Sequence, residues 1–166
     1  MRATIYVAIP VMLLLAIVQT AVLTRFPIFG LTPQISLLVA LSWFLLHGVE
    51  EGVAWAFIAG MSLDLFSIGP SGSTALAYMV AVLAVAGLLR VLPQSHFFVP
   101  PMMAAISSIV YLIVYLLLLQ LFGFAPSAET AVNLAPIILL NAGFMLPIYW
   151  LVYAIDRRVH PRRVEL

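Results

Sequence analysis

The sequence predicts an all-α integral membrane protein with six transmembrane helices in one polytopic domain, residues 1–166. Three observations carry this. Hydrophobic residues make up 65% of the chain and charged residues 8%, against roughly a quarter charged in soluble domains. The apolar residues fall in several runs long enough for membrane helices. No stretch alternates apolar and polar residues with the period of two that a transmembrane barrel needs. Cysteine is absent, which excludes disulfides and thiolate metal sites.

The first helix is expected over residues 4–23. It imitates a signal peptide, with Arg2 before an apolar run, but Gln19-Thr20-Ala21 is a poor cleavage signal and the run is long enough to span. It is read as a retained helix, mildly kinked by Pro10. The second helix, 33–47, opens on Pro33, a favoured first-turn residue. At about 1.5 Å per residue it is only about 22 Å long. The third, 51–66, is similarly short at about 24 Å. Glu50 and Glu51 at its start complement the positive end of the helix dipole. Adjacent short helices imply a thinned bilayer, or protein rather than lipid around them. A Gly/Pro/Ser turn over 67–72 leads to the fourth helix, 73–89. A polar loop over 90–99 precedes the fifth, 100–122. A second polar loop, 123–130, precedes the sixth, 132–155, which Pro136, Gly143 and Pro147 are expected to bend.

Charge sets the topology. With six spans and both termini cytoplasmic, Arg2, Arg90, Arg157, Arg158, Arg162 and Arg163 lie inside and Arg25 alone lies outside. The flipped topology would reverse the positive-inside bias. Trp43, Phe44, Phe97, Phe98, Tyr149, Trp150 and Tyr153 are placed at the membrane interfaces. The tail from Arg157 to Arg163 forms a short basic segment suited to anionic lipid. No convincing internal repeat is present, which weighs against a large transporter of inverted halves.

One stripe stands out. Gly52, Ala56, Gly60 and Asp64 recur every fourth residue, a narrow face of small residues ending in an acid. Small faces let membrane helices approach closely. Ser73, Ala77 and Ala81, with Ala84 and Gly87 beyond, offer a matching face on the fourth helix. The third helix is therefore expected to be the packing centre, paired with the fourth. Packing within the chain is preferred over an intermolecular site.

Asp64 is the single acid inside a span, which marks it as an ion site, a partner contact or a structural anchor. The anchor reading is preferred. Its carboxylate would accept from free N–H groups at the start of the fourth helix, or pair with Arg25. A proton relay normally needs a second buried titratable group, and His47, His96 and His160 all fall on the other side. Gly69-Pro-Ser-Gly-Ser-Thr74 is faintly like a phosphate loop but has no lysine. It reads as a turn in which Gly72 bends the chain and Ser73 caps the helix. Gln19, Asn133 and Asn141 lie in or near spans, and Asn141 is expected to bond to a neighbouring helix. Tyr111 and Tyr115, four residues apart on the fifth helix, read as packing or groove-lining residues rather than chemistry. No Ser/His/Asp, metal-spaced or paired-carboxylate arrangement is present, so no enzyme and no cofactor is expected.

Residues 33–83 resemble the MreD family of rod shape-determining membrane proteins. The resemblance rests on Pro33 opening a short helix, then Gly52, Gly60, Asp64-Leu65, a Gly-containing turn and an aliphatic helix. Length, six spans and a basic tail extend it to the whole chain. Gln34 departs from it, standing where Asp or Asn would follow the proline. The resemblance implies a non-enzymatic scaffold of the bacterial elongation complex in the inner membrane. Its partners would be the bitopic protein MreC and, in a larger complex, RodA–PBP2 and MreB. It also implies a fold similar to the substrate-binding subunits of energy-coupling-factor transporters. The alternative is therefore a small-molecule-binding subunit of such a transporter. The Ala-x-x-x-Ala docking pattern of those subunits is missing from the first helix, where Ala16 to Thr20 is the nearest match. A proton-coupled transporter rests on Asp64 alone.

Overall fold

The computed structural model describes residues 2–28, 30–90, 98–124 and 134–159. The loop from Val91 to Phe97, most of the loop before the sixth helix, Asn133 and the basic tail beyond Val159 lie outside them. Six α-helices are present among the described residues: α1 Arg2–Val18, α2 Ile35–His47, α3 Val49–Asp64, α4 Ser73–Leu89, α5 Val99–Leu121 and α6 Ile137–Val159. Three segments are long and apolar enough to cross a membrane: Thr4–Leu23, Val99–Leu121 and Ile137–Arg158. Their outward faces carry exposed large hydrophobics such as Leu14, Leu117 and Leu139, which only a lipid environment makes favourable. The protein is a membrane-embedded helical bundle.

Each helix has a local cause and a local end. In α1 the last turn widens into a π-helix over Gln19–Leu23, and Thr24 Oγ1 donates to the Gln19 carbonyl five residues back. Widened turns of this kind are rare and tend to mark special sites; here the buried residue is Gln19. Gly48 alone separates α2 from α3. Its φ of 91° is open to glycine at little cost, and its N–H donates to the Phe44 carbonyl. The sharp reversal lays the two short helices side by side. The sixth helix differs from its expected span. Pro136 lies before it, Pro147 inside it, and it runs on past Ile155 to Val159.

The helices are arranged as an open ring. α1 packs on α3, α3 on α4, α4 on α5 and α5 on α6, while α2 touches every other helix from within. Leu37, Leu38 and Leu41 of α2 are fully buried, with Met12, Tyr78, Met103 and Met145 around them. The third helix is the packing centre as expected: α3 has the broadest contacts of any helix, above all with α4, while α2 runs inside the ring and touches every other helix. A helix of 13 residues is about 20 Å long, and its short length is tolerated because protein surrounds it. Trp43 and Phe44 are buried in the bundle. Between α6 and α1 the ring is not closed, since these two helices make at most marginal contact.

Candidate functional site

Polar groups gather at two ends of the bundle. One end holds Asp64 and the starts of α2 and α4; the other holds His47, Glu51 and Asp156.

At the first end Asp64 is 5% exposed and reaches from the end of α3 to the start of α4. Gly72 N–H donates to Oδ2 at 2.9 Å, Thr74 N–H to Oδ1 at 3.2 Å and Ala75 N–H to Oδ2 at 3.2 Å. A helix start leaves its first N–H groups without intrahelical partners and carries the positive end of the dipole. All three partners are donors, a set suited to a carboxylate. Among the described residues no ion pair joins Asp64 to Arg25, which is exposed. Ser73 does not cap the helix as the sequence suggested. Its hydroxyl donates back to the Pro70 carbonyl at 2.7 Å, because Gly72 occupies the cap position in the left-handed region and Asp64 already fills the space over the N–H groups.

The small stripe ending in Asp64 is divided between two neighbours. A Cβ on Gly60 would run into the backbone of Thr74 and Ala75, so α3 and α4 touch main chain to main chain there. A Cβ on Gly52 would run into Phe44 of α2 instead. The single face expected toward the fourth helix is thus turned toward α2 at one end, because Gly48 folds α3 tightly back on α2. Ala56, Ala77 and Ala81 are fully buried. Ala84 and Gly87 are exposed and lie off the packed face of α4.

Deeper in the same end a neutral network spans four helices. Asn141 of α6 is fully buried. Its Oδ1 accepts from Gln34 N–H at 3.0 Å, and its Nδ2 donates to Gln34 Oε1 at 3.3 Å and to Ser108 Oγ at 2.9 Å. Gln19 Oε1 accepts both the N–H and the hydroxyl of Ser36 at 3.2 Å. Tyr78 and Tyr111, both buried, meet edge to face with ring centroids 5.1 Å apart. Gln34, the residue that departs from the family pattern, is thus fastened to α6. The start of α2 is held by side chains from α1 and α6, as the start of α4 is held by α3.

At the opposite end an aromatic stack joins the helices. Trp43 lies on Trp55 at 4.1 Å and on His47 at 4.2 Å between ring centroids. Trp43 Nε1 donates to Glu51 Oε2 at 3.0 Å, and His47 Nε2 lies 3.2 Å from Asp156 Oδ1. The stack was not foreseen in the sequence. Trp43 and His47 stand four residues apart on α2, a spacing that could have suggested a shared face, but Trp55 and Asp156 come from other helices.

Chemically, the first end offers acceptors already matched to donors within the chain. Among the described residues no group of three or more His, Asp or Glu is placed to hold a metal ion. No curated protein and no solved structure matches the chain. The family model described as rod shape-determining protein MreD matches residues 1–159, nearly the whole chain, and the protein therefore belongs to the MreD family of rod shape-determining membrane proteins.

Proposed function

We propose that this protein is a non-enzymatic scaffold of the elongation complex in the bacterial inner membrane, binding MreC and, in the larger assembly, working with RodA–PBP2 and MreB. The observation that carries the reading is the family match over residues 1–159. The geometry supports it from another side. Asp64, Gln19, Gln34 and Asn141 are among the buried polar groups that a transporter or enzyme would use. Each is bonded within the chain, to backbone N–H groups or to neighbouring side chains. Such bonding fixes the relative positions of α1, α2, α3, α4 and α6, as a surface offered to partner helices requires. The small-molecule-binding alternative would need some of these groups facing an open cleft.

The arginine distribution supports both termini in the cytoplasm, with the Asp64 end outside. Ile68, fully exposed in the turn before α4, is the place to test this. A cysteine introduced at Ile68 is expected to react with an impermeant maleimide in intact cells; reaction only after lysis would reverse the topology. For the partner, purification in mild detergent followed by mass spectrometry is expected to recover MreC. Recovery of an energy-coupling module with a bound vitamin in its place would establish the alternative.

A further inference from the structure

The unclosed side of the ring encloses a cavity of about 360 Å³ at the His47 end of the bundle. This lies within the range of roughly 300–1,000 Å³ seen for ligand sites. Its long wall is one stripe of α1, from Thr4 through Val7 and Val11 to Leu15, and its back is built by Trp43 and Trp55. From Thr4 to Leu15 is about 16 Å along a helix, close to half of a hydrocarbon core of about 30 Å. The cavity is thus a slot one leaflet deep. It is lined almost wholly by apolar side chains and has room for a hydrocarbon chain.

The slot faces lipid and not water. Its rear residues are buried, Trp55 at 3% and Val152 at 8%, while Val7 at 54% and Leu151 at 61% stand exposed at the lips. Its polar lining comes from Thr4 and Asp156, near the start of α1 and the end of α6, at the same end of the bundle. Arg158 stands three residues beyond Ile155 and seven beyond Leu151, on the same face of α6 as that lip. The carboxylate at this mouth, Asp156, lies 3.2 Å from His47 Nε2, and a cation at the leaflet surface beside an apolar slot matches a phospholipid: anionic head at Arg158, an acyl chain within.

We infer that the gap between α1 and α6 is a binding site for one acyl chain of an anionic phospholipid from the leaflet at the His47 end. The lipid completes the ring where α1 and α6 make at most marginal contact. This inference stands apart from the scaffold reading and does not depend on any partner.

The test uses the full chain in proteoliposomes containing a trace of phosphatidylglycerol with a diazirine on one acyl chain, or phosphatidylcholine with the same label. After photolysis, adducts are mapped by peptide mass spectrometry. Wild-type protein is expected to carry adducts on the rear wall, at Trp43 and Trp55, more from phosphatidylglycerol than from phosphatidylcholine. Val11→Phe fills the slot and should remove the rear-wall adducts severalfold while leaving those on the outer face of α5, at Leu117, unchanged. Arg158→Gln, at an exposed position, should leave the fold intact and reduce the preference for phosphatidylglycerol about fivefold, the equivalent of one basic residue at a charged bilayer surface. Adducts confined to outer faces would overturn the site, whether a second copy fills the gap or the helices close it. Equal labelling by the two lipids would overturn the anionic head group.

Discussion

Two helices of this bundle begin with their first N–H groups buried, and they are satisfied in different ways. The start of α4 is held by one group, the Asp64 carboxylate, which accepts three N–H donors. The start of α2 is held by neutral amides from two directions, Asn141 on Gln34 and Gln19 on Ser36. Water is absent from a bilayer core, so each donor must find a partner in the protein. A single carboxylate meets the need with one residue, and concentrates the risk there. The amide arrangement spreads it over α1, α2, α5 and α6, and ties those helices together as a consequence. The first device fastens a hairpin; the second fastens the whole bundle.

The largest effect is expected at the concentrated site. Asp64→Leu leaves two buried donors and one half-buried donor without an acceptor, and each buried one costs about 1–3 kcal/mol. Thermal unfolding in detergent should show a loss of several kcal/mol, with weakened recovery of MreC in the same preparation. A variant as stable as wild type would mean that water or lipid reaches the α4 start.

A smaller loss is expected for Asn141→Leu. Interhelical bonds of this kind in membranes contribute about 0.6–2 kcal/mol, and the Gln19–Ser36 contact remains. If Asn141→Leu proved as damaging as Asp64→Leu, the contrast between concentrated and distributed capping would be wrong.

Asp64→Asn should have a smaller effect than Asp64→Leu. It keeps the shape and one acceptor oxygen, which can still hold Gly72 and Ala75 N–H, but its NH2 then faces the Thr74 N–H and leaves that donor unmet at a cost of about 1–3 kcal/mol. Cell shape and MreC recovery should stay near wild type. A variant that folds and binds MreC but fails in shape control would instead point to a role that needs a titrating group.

The Asp64 device was legible because it is local in sequence. An acid near the end of one apolar helix and a Gly/Ser turn eight residues later leave few geometries for the carboxylate. The neutral network was legible only in pieces. Asn141 and Gln19 stand out in apolar runs, but Gln34 meets Asn141 across 107 positions, and Ser108 is one of two adjacent serines with nothing to choose between them. Gly48, which sets the α2–α3 hairpin and turns Gly52 toward Phe44, lies in the sequence as an unremarked residue between two helices.

By itself the sequence determined the environment and the elements. Hydropathy is a property of each residue, and helices in lipid must satisfy their own backbone, so the membrane class and six helices followed from composition and run length. Only the tertiary structure decided how those helices are turned: α2 inside the ring, Gly52 on one neighbour and Gly60 on another, Trp43 inside, and a gap between α6 and α1. Lipid tails are as apolar as leucine, so hydrophobicity does not distinguish an inward face from an outward one. Rotation is set by close contacts and hydrogen bonds between residues far apart in the chain, and those exist only once the helices have met.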